Sequence, residues 1–96
     1  MNLNISKATT SKLKSKHNVS ESDIEECFSN REGSFLVDTR EDHRTTPETN
    51  WFIAQNHFGR KLKVIFMLYP DSEIRIKSAY EPNLEEIRIY TKHANI

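Results

Sequence analysis

The sequence predicts an α+β fold: two N-terminal helices, an antiparallel sheet built on a three-strand meander, and a C-terminal helix. Three observations carry this expectation. Residues 51–80 read as successive strands broken by turn signals at Phe58-Gly59 and Pro70-Asp71-Ser72. Helix-start patterns, Ser20 with Asp23 and Asn83 with Glu86, lie on either side of that stretch. Finally, 96 residues with 35% hydrophobic side chains suffice for one core, so residues 1–96 read as a single domain.

Taken in order, residues 1–19 form a basic N-terminal segment with a helix over 6–17, in which Ile5, Ala8 and Leu13 are the apolar contacts. Its lysine-rich end suits the negative end of the helix dipole, and Asn18 tolerates the left-handed backbone that stops a helix. Ser20 caps a second helix carrying Ile24, Cys27 and Phe28, which ends near Asn30; Gly33 marks the break. Residues 34–39 are β-rich, and residues 40–50 read as a long polar loop of the kind often kept for function.

The meander comprises residues 51–57, 61–69 and 73–80. A three-residue loop in the last hairpin pairs Tyr69 with Glu73. Counting back, Leu68 faces Ile74, Phe66 faces Ile76 and Val64 faces Ser78. The other face pairs Met67 with Arg75 and Ile65 with Lys77, beside Lys63. One face is oily and the other half basic, as expected if all helices pack on one side. Asn83 then caps a helix over 83–94, with Leu84, Ile87 and Tyr90 or Ala94 on its apolar side.

Formal charge totals zero and mean hydropathy is −0.74, but charge is segregated along the chain. Residues 1–19 carry +4 with no acid, 20–49 carry −6, 50–80 carry +3 and 81–96 carry −1. A local basic surface is therefore compatible with a neutral chain. The longest apolar run, 64–69, is far short of the ~20 residues of a membrane span. The N-terminus has no apolar leader core, so a cytoplasmic location and no membrane partner are expected. Gly33 and Gly59, the two glycines, are isolated, which excludes a glycine-rich phosphate loop.

Cys27 is the single cysteine, so no intrachain disulfide can form. It shares a helix face with Ile24 and Phe28 and reads as a core residue rather than a nucleophile. His17, His43, His57 and His93 fall at no metal-ligand spacing, so neither metal nor cofactor is expected. Two features carry chemistry. One is the loop Glu41-Asp42-His43-Arg44, which sets a titratable imidazole beside a guanidinium. The other is the basic sheet face of Lys63, Arg75 and Lys77, with Tyr80 at its end and Arg60 near the turn. Such a face suits phosphate, Arg as a planar fork and Lys as a point charge.

These residues resemble a known family. Lys16-His17-Asn18-Val19-Ser20 after a lysine-rich helix is similar to the KHGVS-like segment of BrnT-type toxins of the RelE/ParE superfamily; Asn18 stands where relatives often have glycine. Asp38-Thr39-Arg40, His43-Arg44, Gly59-Arg60-Lys61-Leu62-Lys63-Val64 and Ile74-Arg75-Ile76-Lys77-Ser78-Ala79 follow in the same order, over about residues 10–92. Tyr80 occupies a place where relatives often have arginine.

The resemblance implies a RelE-like toxin of a type II toxin–antitoxin pair that cuts RNA without a metal. It implies an antitoxin partner, often of ribbon-helix-helix type, and contact with operator DNA through the antitoxin alone. RNA supplies its own nucleophile, the ribose 2′-hydroxyl, so the protein must move protons and stabilise charge on phosphorus. The expected catalytic set is His43, Arg75, Lys77 and Tyr80. Arg44, Arg60 and Lys63 are expected to steer the RNA backbone. The competing expectation is a non-catalytic binding module on the same fold.

Overall fold

The computed structural model describes residues 2–39 and 46–96. His43 and Arg44 lie outside the described residues. Among the described residues the fold is α+β, with three helices and a five-stranded mixed sheet. The elements are β1 (Asn2–Asn4), α1 (Lys7–Lys12, continuing as a wider π turn over Leu13–His17), α2 (Glu21–Ser29), β2 (Leu36–Val37), β3 (Thr49–Gln55), β4 (Lys61–Leu68), β5 (Glu73–Tyr80) and α3 (Leu84–His93). The strand order is β1-β5-β4-β3-β2, parallel between β1 and β5 and antiparallel elsewhere.

Local sequence explains the helix limits. Ser6 accepts a hydrogen bond from the Thr9 amide at the start of α1. At its end Asn18 is left-handed (φ 52°, ψ 48°), and the Asn18 and Val19 amides turn back to the Lys14 and Leu13 carbonyls. Leu13 and Val19, both buried, pack into the core at this turn. Ser20 with Asp23, and Asn83 with Glu86, form complete capping boxes. Each box satisfies two amides that the first turn leaves without partners.

The core lies between one sheet face and α1 with α2. Phe28, Phe35, Phe52 and Phe66 form a cluster with ring centres 4.7–6.1 Å apart, ringed by Ile24, Leu62, Val64 and Ile76. Edge-to-face packing there adds to the burial of apolar area. Gly33 has a separate role from breaking α2. A Cβ placed on it would sit 2.7 Å from the Tyr90 hydroxyl and 2.9 Å from Ala94, so a glycine is what lets the chain pass under α3.

Five expectations need correction. The sheet is mixed, because Asn2–Asn4 adds a parallel edge strand; three residues with one apolar side chain gave no periodic signal. The expected strand 34–39 shrinks to Leu36–Val37, and β3 starts at Thr49, inside the expected loop. Ala8 and Leu84 are exposed rather than packed.

The fourth correction is the largest. Leu68–Ile74, Phe66–Ile76 and Met67–Arg75 pair as expected, but a β-bulge then leaves Lys77 without a cross-strand partner. Beyond it Ile65 pairs with Ser78, Val64 with Ala79 and Lys63 with Tyr80. The extra residue reverses which side chains face which side. It places small Ala79, fully buried, on the core face and Tyr80 on the other. Nor do all helices share one side. The Trp51–Ile65 face of the sheet is covered by α3, through Tyr90 against Trp51 and Glu86 against Lys63.

Phe66→Ala removes a fully buried ring touching three others and should cost about 3–5 kcal/mol in a urea melt. A loss below about 1 kcal/mol would place Phe66 outside the core.

Candidate functional site

The bulge and α3 together build a polar corner at the end of β4 and β5. Lys63 is only 8% exposed, yet its ammonium donates to Glu86 Oε2 at 2.7 Å. The same oxygen accepts from the Tyr80 hydroxyl at 2.9 Å. The Lys63 Nζ also sits 4.5 Å from the Trp51 ring centre and 5.8 Å from that of Tyr80. Glu86 Oε1 accepts the Asn83 amide of the capping box. One carboxylate thus caps α3 and anchors it to the sheet. Burial pushes the Glu86 carboxyl up, but Lys63, the Asn83 amide and Tyr80 outweigh it, holding the group below its ordinary range.

The corner continues into the N-terminal helix. The His17 ring lies 5.7 Å from that of Tyr80. Arg60 donates to the backbone oxygens of His17 and Asn18, both at 2.6 Å, and its Nε donates to Glu81 at 2.8 Å. Asn56 fixes the turn before Arg60, its side-chain oxygen accepting the Phe58 and Arg60 amides while its Nδ2 donates to Asp23. Three segments far apart in sequence, 16–18, 59–63 and 78–80, therefore meet at one place.

On the α3 side of Lys63 lies a cavity of about 580 Å³, lined by Leu36, Trp51, Lys63, Glu86, Ile89 and His93 among others. Asp38 and Thr39 also line it, so charged and polar side chains stand among its apolar walls.

The structure brings Tyr80, Lys63 and Arg60 together but does not assemble the expected trio of Lys63, Arg75 and Lys77. Arg75 stands opposite Met67, four residues from Lys63 along the strands, or roughly 13 Å at the usual rise. Its guanidinium donates to Glu73 Oε1 at 2.7 Å and stacks 4.2 Å from the Tyr69 ring centre. The Glu73 contact raises its already high pKa further. Lys77, at the bulge, is exposed. Lys63, expected to steer RNA from an open face, is buried and committed to Glu86, because α3 covers the face assumed to be open.

Sequence reasoning missed Glu86 and His17 as site residues. Glu86 reads fully as a cap, and its second contact depends on the bulge. His17 sits within the Lys16–Ser20 segment, but its contact with Tyr80 appears only once the chain is folded. Cys27 is buried, and burial with nearby Asp23 and Glu26 pushes its thiol up to about 12, which fits a packing role. Among the described residues no group of three or more His, Cys, Asp or Glu is placed to hold a metal ion, and no helix is long and apolar enough to cross a membrane. In comparisons with known proteins, no family model and no curated protein matches the sequence.

A depressed carboxyl stabilises the folded state above its ordinary titration range, and that stabilisation is lost as pH falls through the folded value. Glu86 and Asp23 are both depressed, so native stability should fall below about pH 4.5. Glu86→Gln should lower stability at pH 7 and flatten the acid limb of the stability curve. An unchanged acid limb would show that Glu86 titrates as a solvated side chain.

Proposed function

We propose that the protein is the toxin of a type II toxin–antitoxin pair, a metal-independent endoribonuclease on a RelE-like fold. The observation that carries this reading is the meeting of the BrnT-like segments at one corner. His17-Asn18, Arg60 and Ser78-Ala79-Tyr80, apart in sequence, are joined by the Arg60 hydrogen bonds and the His17–Tyr80 contact. The left-handed Asn18 supports the resemblance too, since relatives often place glycine there.

The reaction needs no outside nucleophile. The ribose 2′-oxygen attacks the adjacent phosphorus, its proton passing to a base on the protein. The bond from phosphorus to the 5′-oxygen breaks, an acid protonates that oxygen, and a 2′,3′-cyclic phosphate remains. At this corner His17 and Tyr80 are the proton carriers. Glu86 holds the Tyr80 hydroxyl in position and Arg60 holds the His17 backbone. Arg75 and Lys77, three to five residues from Tyr80 along β5, contact phosphates that flank the one being cut. His43 and Arg44, assigned from the sequence, act as a further proton carrier and a backbone contact. The partners are RNA and an antitoxin, operator DNA being reached only through the latter, and the location is the cytoplasm.

One observation favours a second reading, a non-catalytic binding module. Lys63, Arg60 and Arg75 each engage an internal carboxylate, Glu86, Glu81 and Glu73, so their charge is partly spent within the fold.

Inducing the protein with and without a co-expressed ribbon-helix-helix antitoxin, sought as a short reading frame beside its gene, separates the two. The toxin reading expects growth arrest and RNA fragments ending in cyclic phosphate, relieved by the antitoxin and insensitive to EDTA. Tyr80→Phe or His17→Gln should slow cleavage by roughly 10²–10⁴-fold while the fold persists. Harmless expression with intact RNA would favour the binding module.

A further inference from the structure

The cations of the sheet face are largely matched by acids, but those of the N-terminal helix are not. Lys7, Lys12, Lys14 and Lys16 are all exposed, and none forms an ion pair with a described residue. No acid occurs in residues 1–19. Four like charges on about three helical turns repel one another, and no ion pair with a described residue offsets this.

The helical period orders these residues further. Leu13 is the buried position and defines the inner side. At 100° per residue, Lys12 and Lys16 fall on one flank of the helix and Lys7 and Lys14 on the other. The outermost line between them holds Ala8, Ser11 and Ser15, all small and exposed. The π turn adds about one residue to the last turn and keeps Ser15 nearly in line with Ser11. The result is a low ridge with hydroxyl groups on top and lysines along both sides.

We infer that this ridge of α1 is the surface that receives the RNA backbone, with phosphates lying along Ala8, Ser11 and Ser15 between the two lysine pairs. The choice of RNA as the polyanion rests on the proposed function; the charge and shape argument does not. Small side chains let a backbone approach closely, and lysine contributes long-reaching point charges with little demand on geometry. A membrane surface fits poorly, since the ridge has no large apolar side chain to insert. His17, the last residue of the π turn, lies on the inner side with Leu13 and packs on Tyr80, so the ridge ends about half a turn before it, with the polar corner on the opposite side of the helix.

Binding to a 2′-O-methyl RNA oligonucleotide, which this chemistry cannot cut, tests the inference apart from catalysis. Affinity is measured between 50 and 300 mM salt for wild type, for Lys12→Gln/Lys16→Gln, and for Arg88→Gln/Lys92→Gln, which removes the same charge from α3. The ridge variant should bind roughly 10–30-fold more weakly at 0.1 M salt, with a salt slope shallower by about 0.7 for each lost phosphate contact. The α3 variant should bind like wild type, and circular dichroism should show both variants folded. Equal losses in the two variants, or an unchanged slope in the ridge variant, would overturn the inference. A protein that binds through the ridge yet never cuts unmodified RNA would overturn the nuclease reading and leave the ridge in place. Binding to an acidic polypeptide in preference to RNA would overturn the ridge as an RNA surface.

Discussion

The ion pair between Lys63 and Glu86 is the contact on which the rest of the site depends. Burying two charges is costly unless each is compensated. Here compensation is dense: the carboxylate accepts Lys63, Tyr80 and the Asn83 amide, and the ammonium lies against the Trp51 ring. Because Glu86 also closes the capping box of α3 on Asn83, the pair ties the start of that helix to the sheet face it covers. The Tyr80 position and, through Tyr80, the His17 contact follow from that placement.

The β-bulge at Lys77 is the second constraint, and it works with the first. Without an extra residue, Tyr80 would face α1 and α2, and Ala79 would stand beside Lys63. With it, a small residue fits under the helices of the core face and a phenol reaches Glu86. Bulges commonly redirect side chains next to functional sites.

Much of the fold was legible in the sequence because its signals are local. Ser20–Asp23, Asn83–Glu86 and Asn18 set the helix ends by short-range hydrogen bonding and backbone preference, and the meander showed through its turns. What was not legible depends on long-range geometry. The edge strand Asn2–Asn4 is too short to have a period. One inserted residue at the bulge changes no local pattern but reverses every facing beyond it. The side of the sheet taken by α3 depends on Trp51, Lys63 and Glu86 meeting, and a buried lysine is not something that composition suggests. At the candidate site, Tyr80 and Arg60 were named from type and place and lie at the corner, whereas Glu86 hid behind its role in the capping box.

The claim that Lys63 and Glu86 act as one unit is open to a direct measurement, a double-mutant cycle with Lys63→Met, Glu86→Leu and the pair, followed by urea unfolding at pH 7. Glu86→Leu leaves the Lys63 ammonium buried without its carboxylate and should cost about 3–5 kcal/mol; Lys63→Met leaves a half-buried Glu86 that keeps Tyr80 and Asn83 and should cost less. The double change replaces both by apolar groups and should cost markedly less than the sum, giving a coupling above about 1.5 kcal/mol. Single changes that are mild and additive to within about 0.5 kcal/mol would contradict the account, and α3 would then need another anchor.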